Sequence, residues 1–389
     1  MSSAMALTVE ALKADAAAWH QAEWQTLADR AIEPNVFLAP GFALAAARHL
    51  TKHAPTFLFV WDERTTPRRL VGLCPIAEPH GLDALLPRRL WIHEQAPLGT
   101  PLLDTACAAD ALAAIFTYGR QHLPAGLLFP MLPQDGPIAK LLTAAAASDG
   151  RATHVFGLHQ RAMLSAGHEP QNYAQRVLTS HRRRNLKRTR RLLEAQGPLT
   201  VEIARESLEL KAATAAFLAL ESQGWKGRRG TAFLATPART AFVQESLDAL
   251  AARGAYFAVS LVLAGKPIAI GLVLRSGDRA FWWKVAYDEA YATHSPGVHL
   301  SLELTSVLLK DHGIALTDSC AKADHPMIDH LWPERLAIGD VFVAFSAKDA
   351  KKFAALARRE TLYRSLRGQL KEGVIALRRL KDKSRRAAN

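Results

Sequence analysis

The passage from the apolar run Ala280–Trp283 to the helical pattern that begins at Val298 constrains the fold of this chain most. The run is typical of the end of a strand, and the recurring apolar residues after Val298 predict a helix. Ser295, Pro296 and Gly297 therefore lie where a strand passes into a helix. Free backbone N–H groups and the positive end of the helix dipole can hold a phosphate or carboxylate there. The tripeptide alone also fits an ordinary helix start.

Three apolar runs follow one another along the chain, and the last of them contains the start of this passage. They cover 256–263, 267–274 and 279–286, and turn signals separate them at 264–266 and 275–278. Such a pattern predicts an antiparallel meander. The flanking predictions are helices near 206–221 and 237–252 before the meander, then a helix at 298–312, a short strand near 315–318 and a last strand at 337–345.

This order of elements resembles the GNAT acyltransferase fold, and in particular the GNAT-like family of acetyltransferases involved in cellulose biosynthesis. The resemblance covers about 170–345 and rests on four short segments in order: Phe217–Arg228, Lys266–Ala269, Tyr287–Gly297, and an acidic segment containing Asp318, Asp324 and Trp332. It implies an α/β (α+β) fold with mixed central sheets flanked by helices. It also implies an enzyme that uses acetyl-CoA or a longer acyl-CoA as co-substrate, takes an amine as acceptor and needs no metal.

Two departures from the family pattern affect the predicted site. Members usually carry two small residues in the donor loop, whereas this chain has only Gly297. Members also often carry Asp-x-Pro-Tyr-Lys, whereas this chain has Asp324 to Ile328 with neither the Tyr nor the Lys. His325 becomes a candidate for proton transfer in their place.

The resemblance assigns roles to three groups of residues. Catalytic roles fall to Glu221, Asp318, Asp324 and His325. Donor binding falls to Val285, Tyr287, Ser295, Gly297, Val298 and His299, and substrate binding to Arg182, Trp225, Lys226, Trp283 and Lys284. In this fold the developing oxyanion is held by backbone N–H groups of a strand that splays open, here 284–287. The structural alternatives are a surface acid at Glu221, a loop cap at Asp318 and a turn at 324–326.

The N-terminal half resembles a degenerate copy of the C-terminal half, as in the peptidoglycan peptidyl-bridge transferases. Helical segments near 8–29 and 41–50 precede predicted strands at 56–61, 69–77 and 89–93, and a helix at 108–122 follows a Pro-Leu-Gly segment at 97–99. The predicted organisation is a GNAT-like domain over 1–165, a second one over 166–345 and a basic tail over 346–389.

The net charge of +13 belongs to two segments. Residues 346–389 contain 14 Lys and Arg against four Asp and Glu, and residues 176–191 contain eight Lys and Arg without an acid. The rest of the chain is slightly acidic, which argues against a DNA-binding body and for local anionic partners. The basic helix predicted from Arg182 is either a solvated face or a patch for a phosphate or carboxylate.

The tail carries leucines and a valine at helical spacing between its basic residues. These apolar positions are Leu356, Leu362, Leu366, Leu370, Val374, Leu377 and Leu380. One interpretation is a helix packed on the domain, and the other is a helix lying on an anionic membrane surface.

Other features limit the compartment and the chemistry. No apolar run reaches the ~18–20 residues of a membrane span, and acidic residues interrupt the N-terminus, so we expect a cytoplasmic protein that is either free or peripheral on the inner face of the cytoplasmic membrane. Cys74, Cys107 and Cys320 are odd in number and far apart, which predicts neither a disulfide framework nor a zinc site. His325 and His330 lack a third convergent ligand.

Three functions remain open at this point, and so does the oligomeric state. The first is an acyl-CoA-dependent N-acyltransferase acting on an envelope saccharide or lipid precursor. The second is an aminoacyl-tRNA-dependent transferase like the Fem enzymes. The third is a non-catalytic binding protein that has kept the fold.

Overall fold

The computed structural model describes residues 7–387, with side chains up to residue 370. Thirteen strands lie in these residues: β1 Leu7–Leu12, β2 Thr56–Asp62, β3 Arg69–Ile76, β4 Arg88–Arg89, β5 Leu102–Leu103, β6 Gly126–Pro133, β7 Thr153–Ser165, β8 Leu199–Ala204, β9 Tyr256–Leu263, β10 Lys266–Ser276, β11 Arg279–Tyr287, β12 Leu316–Asp318 and β13 Glu334–Ala344.

Twelve α-helices accompany them in the same described range. They are α1 Ala14–Ala18, α2 Gln21–Asp29, α3 Pro40–His49, α4 Ala108–His122, α5 Pro137–Ser148, α6 Tyr173–Val177, α7 Ser180–Glu194, α8 Ser207–Gln223, α9 Trp225–Arg228, α10 Pro237–Ala251, α11 Pro296–Lys310 and α12 Ala350–Ala387.

The strands form two sheets flanked by helices. The smaller sheet has the order β1-β2-β3-β5, and the larger one has the order β4-β6-β13-β7-β12-β11-β10-β9-β8. Among the described strands, only the pairs β4–β6 and β11–β12 are parallel. Strand β7 lies near the middle of the larger sheet, where it pairs with β13 and β12. The predicted mixed α/β class is confirmed.

The predicted meander is confirmed as β9, β10 and β11, which pair antiparallel through short turns. The apolar side chains of these strands are almost all buried because helices cover both faces of the sheet. The helices and strands predicted around the meander also form, with ends shifted by at most a few residues. The donor loop, predicted within the segment Tyr287–Gly297, therefore does connect β11 to α11.

Two predictions in the N-terminal half were wrong in part. Residues 7–12 form strand β1 rather than the start of a helix, because this segment pairs with β2 and the indole N–H of Trp61 donates to the Glu10 carboxylate at 2.9 Å. The strand predicted at 89–93 is reduced to β4, with Leu90 adding a single bridge to Ile76. In both places long-range pairing outweighed the local pattern.

The two halves pack through a shared aromatic core. Phe42 of α3 lies 5.3 Å from Phe242 of α10 and 5.4 Å from Trp283 of β11, measured between ring centroids. Gly41 permits this approach, since a Cβ at that position would lie 2.6 Å from the Cβ of Ala249. The N-terminal half is thereby held against the face of β11 that carries Trp283.

Within the part of α12 whose side chains are described, the first turns pack on the larger sheet. Phe353 stacks on Phe342 at 4.2 Å between ring centroids, and the buried Glu360 pairs with Arg89 and Arg364. Further along, Leu362, Leu366 and Leu370 are 60%, 51% and 72% exposed. The remaining apolar positions of the predicted stripe, Val374, Leu377 and Leu380, have side chains outside the described residues.

Candidate active site

The larger sheet opens beyond the end of β12. Strand β11 pairs with β12 only through 279–281, and β7 pairs with β12 only through 163–165. Because β12 is three residues long, β11 and β7 part beyond Asp318. Among the described residues, no strand pairs with the facing edges of 282–287 and 153–161. The backbone N–H and C=O groups along this gap are therefore available to a ligand.

A β-bulge lies where the gap begins. Lys284 pairs with Leu272 and Trp282 pairs with Val273, so Trp283 has no partner on β10. A bulge shifts the alternation of side chains along a strand. In agreement with this, the ammonium of Lys284 lies 5.0 Å from the ring centroid of Trp283, on the same face of the sheet.

Helices α8 and α9 form one wall of the site. The buried carboxylate of Glu221 accepts from Lys226 Nζ at 2.7 Å and from the backbone N–H of Phe233 at 2.8 Å. Trp225 is half exposed, and its backbone N–H donates to Glu289 at 2.7 Å. A narrow cavity brings five predicted site residues together: Glu221, Trp225, Lys226, Val285 and Tyr287.

Lys284 lies beside this wall in aromatic surroundings. Its ammonium is 5.7 Å from the ring centroid of Phe233 as well as 5.0 Å from that of Trp283. Burial, followed by the nearby Lys226, lowers the pKa of Lys284 to about 8, and Glu221 partly opposes this shift. Among the described residues no carboxylate pairs with Lys284.

The start of α11 packs against the end of β11, as the resemblance implied. Ser295 has a φ of 56°, in the left-handed region, and Pro296 is the first residue of the helix. A Cβ on Gly297 would lie 3.6 Å from both the Tyr287 ring and the Met327 sulfur. His299 points elsewhere: its Nε2 lies 3.0 Å from the Thr189 hydroxyl, and burial lowers its pKa to about 4.

A second cavity joins the donor loop to the basic helix. It has a volume of about 220 Å³, and its polar lining consists of Arg182, Asn185, Ser295 and His330. Val298 contributes to the apolar part of its lining. The structure thus brings Arg182 of α7 to the start of α11, although more than a hundred residues separate them in sequence.

Asp318 lies at the apex of the gap. Its carboxylate forms an ion pair with the fully buried Arg161 and also accepts from the backbone N–H of Cys320 at 2.8 Å. Arg161 donates in addition to the carbonyl of Pro97 at 2.8 Å. Through Arg161, Asp318 is therefore connected to Pro97 of the N-terminal half. Its predicted role in proton transfer stays a prediction.

Asp324 and His325 lie in the loop that follows β12. Asp324 is exposed and has a φ of 56°. The Nδ1 of His325 accepts from the backbone N–H groups of Met327 and Ile328 at 3.3 and 3.4 Å. These bonds are typical of a residue that caps a turn, which was the alternative interpretation. The catalytic roles assigned to both residues stay predictions.

Sequence reasoning missed Arg161 and the segment 95–97. The carbonyl of Gln95 accepts from the indole N–H of Trp283 at 2.9 Å, two residues before the Pro97 carbonyl that Arg161 binds. An arginine in the otherwise apolar end of β7 was a usable signal, because an unpaired charge is rarely buried. The bonds to 95–97 left no signal in the sequence, since they involve backbone carbonyls.

The described residues contain neither a cluster of metal-binding side chains nor a helix that could span a membrane. No group of three or more His, Cys, Asp or Glu converges within the range 7–387. None of the helices in that range combines the length and apolar character needed to cross a bilayer.

A family model identifies the class of the second half. Residues 180–324 match the model described as the acetyltransferase (GNAT) domain. The match includes the meander, the donor loop, α11 and β12, whereas β7, the other border of the gap, lies before the matched residues. The chain therefore carries a GNAT acyltransferase domain, and the prediction of an acyltransferase is confirmed.

Two solved structures share the fold through both halves. The C-terminal domain of a putative lysylphosphatidylglycerol synthetase from Agrobacterium fabrum is 12% identical, covers 89% of this chain and 97% of its own, and has a TM-score of 0.51. The structure of FemX is 10% identical, covers 86% of this chain and 98% of its own, and has a TM-score of 0.52. At these identities the likeness shows the fold alone. No curated protein sequence matches the chain significantly.

Proposed function

We propose that this chain transfers an acyl group from acetyl-CoA or a longer acyl-CoA to an amine on an envelope saccharide or lipid precursor. The observation that carries the proposal is the gap between β7 and β11, with the start of α11 packed at its end. A thioester arm lying along 282–287 would find the free backbone groups of an open strand edge there. The affiliation with the cellulose-biosynthesis type rests on the resemblance described above.

The arrangement supports direct transfer without a covalent enzyme intermediate. The thioester carbonyl would lie near the backbone N–H groups after the bulge, which can stabilise the developing oxyanion. The acceptor would approach from the side of α8, where Lys284 and the Glu221–Lys226 pair lie. The cavity at Arg182 would hold a phosphate of the donor, because a guanidinium and a helix start both favour anions.

A specific observation favours aminoacyl-tRNA as an alternative donor. Arg182, Arg184, Lys187 and Arg191 are all exposed on α7, next to the cavity at the start of α11. This row of charges suits a polyanion better than a single cofactor. The single glycine in the donor loop points the same way.

The place of action that we propose is the inner face of the cytoplasmic membrane. Leu362, Leu366 and Leu370 form an exposed stripe at four-residue spacing on α12, and Arg358, Arg359 and Arg367 lie on the same helix. A helix of this kind can lie in the interface of an anionic bilayer. The lipid synthetase domain among the similar structures is consistent with an acceptor at that surface.

The decisive experiment identifies the donor and then measures the transfer. Native mass spectrometry of the purified full chain, followed by calorimetric titration with CoA and with bulk tRNA, should show CoA binding. Release of free thiol from acetyl-CoA should then depend on an added amine, tested with glucosamine, ethanolamine and lysine. Binding of tRNA alone would establish the alternative donor, and binding of neither would mean that the chain is not an acyltransferase of this kind.

A further inference from the structure

Lys284 is placed by the bulge rather than by the ordinary alternation of its strand. Because Trp283 is the extra residue of the bulge, Lys284 shares a face with it and points toward α8 and α9. Val285 lies on the opposite face with the α11 side of the core. Lys284 therefore stands at the open edge of β11, on the side from which we expect the acceptor.

Lys284 is partly buried, and its surroundings differ from those of most lysines that are withdrawn from solvent. Trp283 and Phe233 enclose its ammonium, and these two rings are 5.6 Å apart between centroids. Buried lysines are usually paired with a carboxylate. Among the described residues Lys284 has neither a hydrogen bond nor an ion pair, so its amine is available to a ligand.

The charged and titratable groups around Lys284 come from every element packed against it. Glu221 and Lys226 belong to the α8–α9 wall, Glu94 and the buried His93 to the N-terminal half, and Cys320 to the turn after β12. Burial raises the pKa of Cys320, and burial lowers that of His93 to about 3, so both are neutral near pH 7. Glu94 pairs with Arg239 at 3.2 Å, which leaves the Glu221–Lys226 pair as the main local influence.

Glu221 is less suited than Lys284 to remove a proton. Both of its oxygens already accept strong hydrogen bonds, one from Lys226 and one from the backbone of Phe233. A carboxylate held in this way is an anchor for the turn at Phe233. The free group that faces the same space is the amine of Lys284.

We propose that Lys284 is the proton acceptor of the transfer reaction: it takes a proton from the ammonium of the acceptor, and the neutral nitrogen then attacks the thioester. This inference rests on the proposed function. The acceptor nitrogen forms a C–N bond with the carbonyl carbon, and the C–S bond breaks. One proton of the ammonium goes to Nζ of Lys284 and a second goes to the leaving thiolate, which departs as a thiol. Lys284 then returns its proton to solvent.

The lowered pKa of Lys284 suits this role. At a pKa of about 8, near half of the molecules carry a neutral amine at pH 8, whereas an ordinary lysine is almost wholly protonated there. A general base works best when its pKa lies near the working pH. Burial of the amine and the neighbouring charge of Lys226 therefore make this lysine usable as a base.

The first test follows kcat/KM against pH with acetyl-CoA and the best amine of the panel. The wild type should rise to a plateau with an inflection near pH 8. Lys284→Arg should lose about 100-fold or more and show no inflection, because arginine keeps its proton. Lys284→His should retain part of the activity, with the inflection moved to lower pH. Lys310→Arg, at the exposed end of α11, is the matched control and should follow the wild type.

A full wild-type profile in Lys284→Arg would overturn the inference while leaving the proposed function intact. Melting curves and CoA titrations of each variant show whether it is folded. A second test needs no acceptor: labelling with fluorodinitrobenzene and peptide mass spectrometry should show Lys284 reacting with a midpoint near pH 8, with Lys310 followed in the same digest for comparison. Lys284 titrating with the surface lysines would overturn the inference. Absence of thiol release with every amine would instead count against the proposed function.

Discussion

Arg161 and Asp318 form an ion pair that is sealed from solvent where β7 meets β12. The same guanidinium binds the carbonyl of Pro97, and Trp283 of β11 binds the carbonyl of Gln95. Both strands that border the gap are thus tied to one short segment of the N-terminal half. We infer that this segment holds the two strands at their separation, so the N-terminal half shapes the site from a distance.

Asp318→Asn should lower the free energy of unfolding by about 3–5 kcal/mol, because it leaves the charge of Arg161 buried without its partner. Urea denaturation measures the change. Asp29→Asn is the matched control, since Asp29 pairs with Arg253 at the surface and such pairs contribute about 1 kcal/mol or less. A loss at Asp318 no larger than at Asp29 would mean that the buried pair does not hold the sheet to the N-terminal half.

The contribution of Glu33 to the free energy of unfolding should fall as the pH rises from about 4.5 to 7. Burial raises the pKa of Glu33 from 4.5 to about 7, although its carboxylate accepts from the backbone N–H of Ile138. The folded chain therefore keeps a proton that the unfolded chain loses in this window. Above pH 7 the buried charge of Glu33 lowers the free energy of unfolding by about 3 kcal/mol. Glu33→Gln should remove this part of the slope in denaturation curves recorded across the window, and Glu23→Gln on the exposed face of α2 should not.

Glu221 and Lys226 should move the pH profile of the reaction in opposite directions. Lys226 lowers the pKa of Lys284 and Glu221 raises it. Lys226→Met should therefore shift the inflection of kcat/KM to higher pH, and Glu221→Gln should shift it to lower pH. Shifts of the same sign in both variants would show that the inflection belongs to another group.

Donor binding should depend on the start of α11. Gly297→Ala should bind CoA normally, since a Cβ there makes only ordinary contacts at 3.6 Å with Tyr287 and Met327. Gly297→Glu should abolish binding, because its side chain must enter the space between them. Arg182→Gln leaves the start of α11 unchanged and should weaken CoA binding about 10-fold, which is the range expected for the loss of one charged hydrogen bond. Unchanged calorimetric affinity in both Gly297→Glu and Arg182→Gln would place the donor elsewhere.

The tail should bring the chain to anionic vesicles. The full chain should sediment with anionic but not with neutral vesicles, and salt should release it because the attraction fades within about 8–10 Å. A chain ending at Ser365 should remain in solution. The cut is not made at the predicted domain boundary after Phe345, because it would also remove Phe353 and Glu360, which are buried. Sedimentation of the shortened chain would place any lipid-binding surface outside residues 366–389.

The sequence by itself determined the order of elements in the second half. Apolar runs of strand length, turn residues between them and a helical period after Gly297 are local properties, and each was found where expected. The donor loop and the basic helix were predictable for the same reason. The edge strand β1 was not, because its state depends on pairing with β2, fifty residues away.

Only the tertiary structure decided how the candidate site is composed. The length of β12, the bulge at Trp283 and the bonds from Arg161 and Trp283 to the carbonyls of 95–97 all arise from pairing between distant segments. Lys284 illustrates the difference: its place on β11 was evident from the sequence, whereas its pKa near 8 depends on the rings and charges that folding brings around it. Burial and proximity are properties of the packed chain, so local patterns could not reveal them.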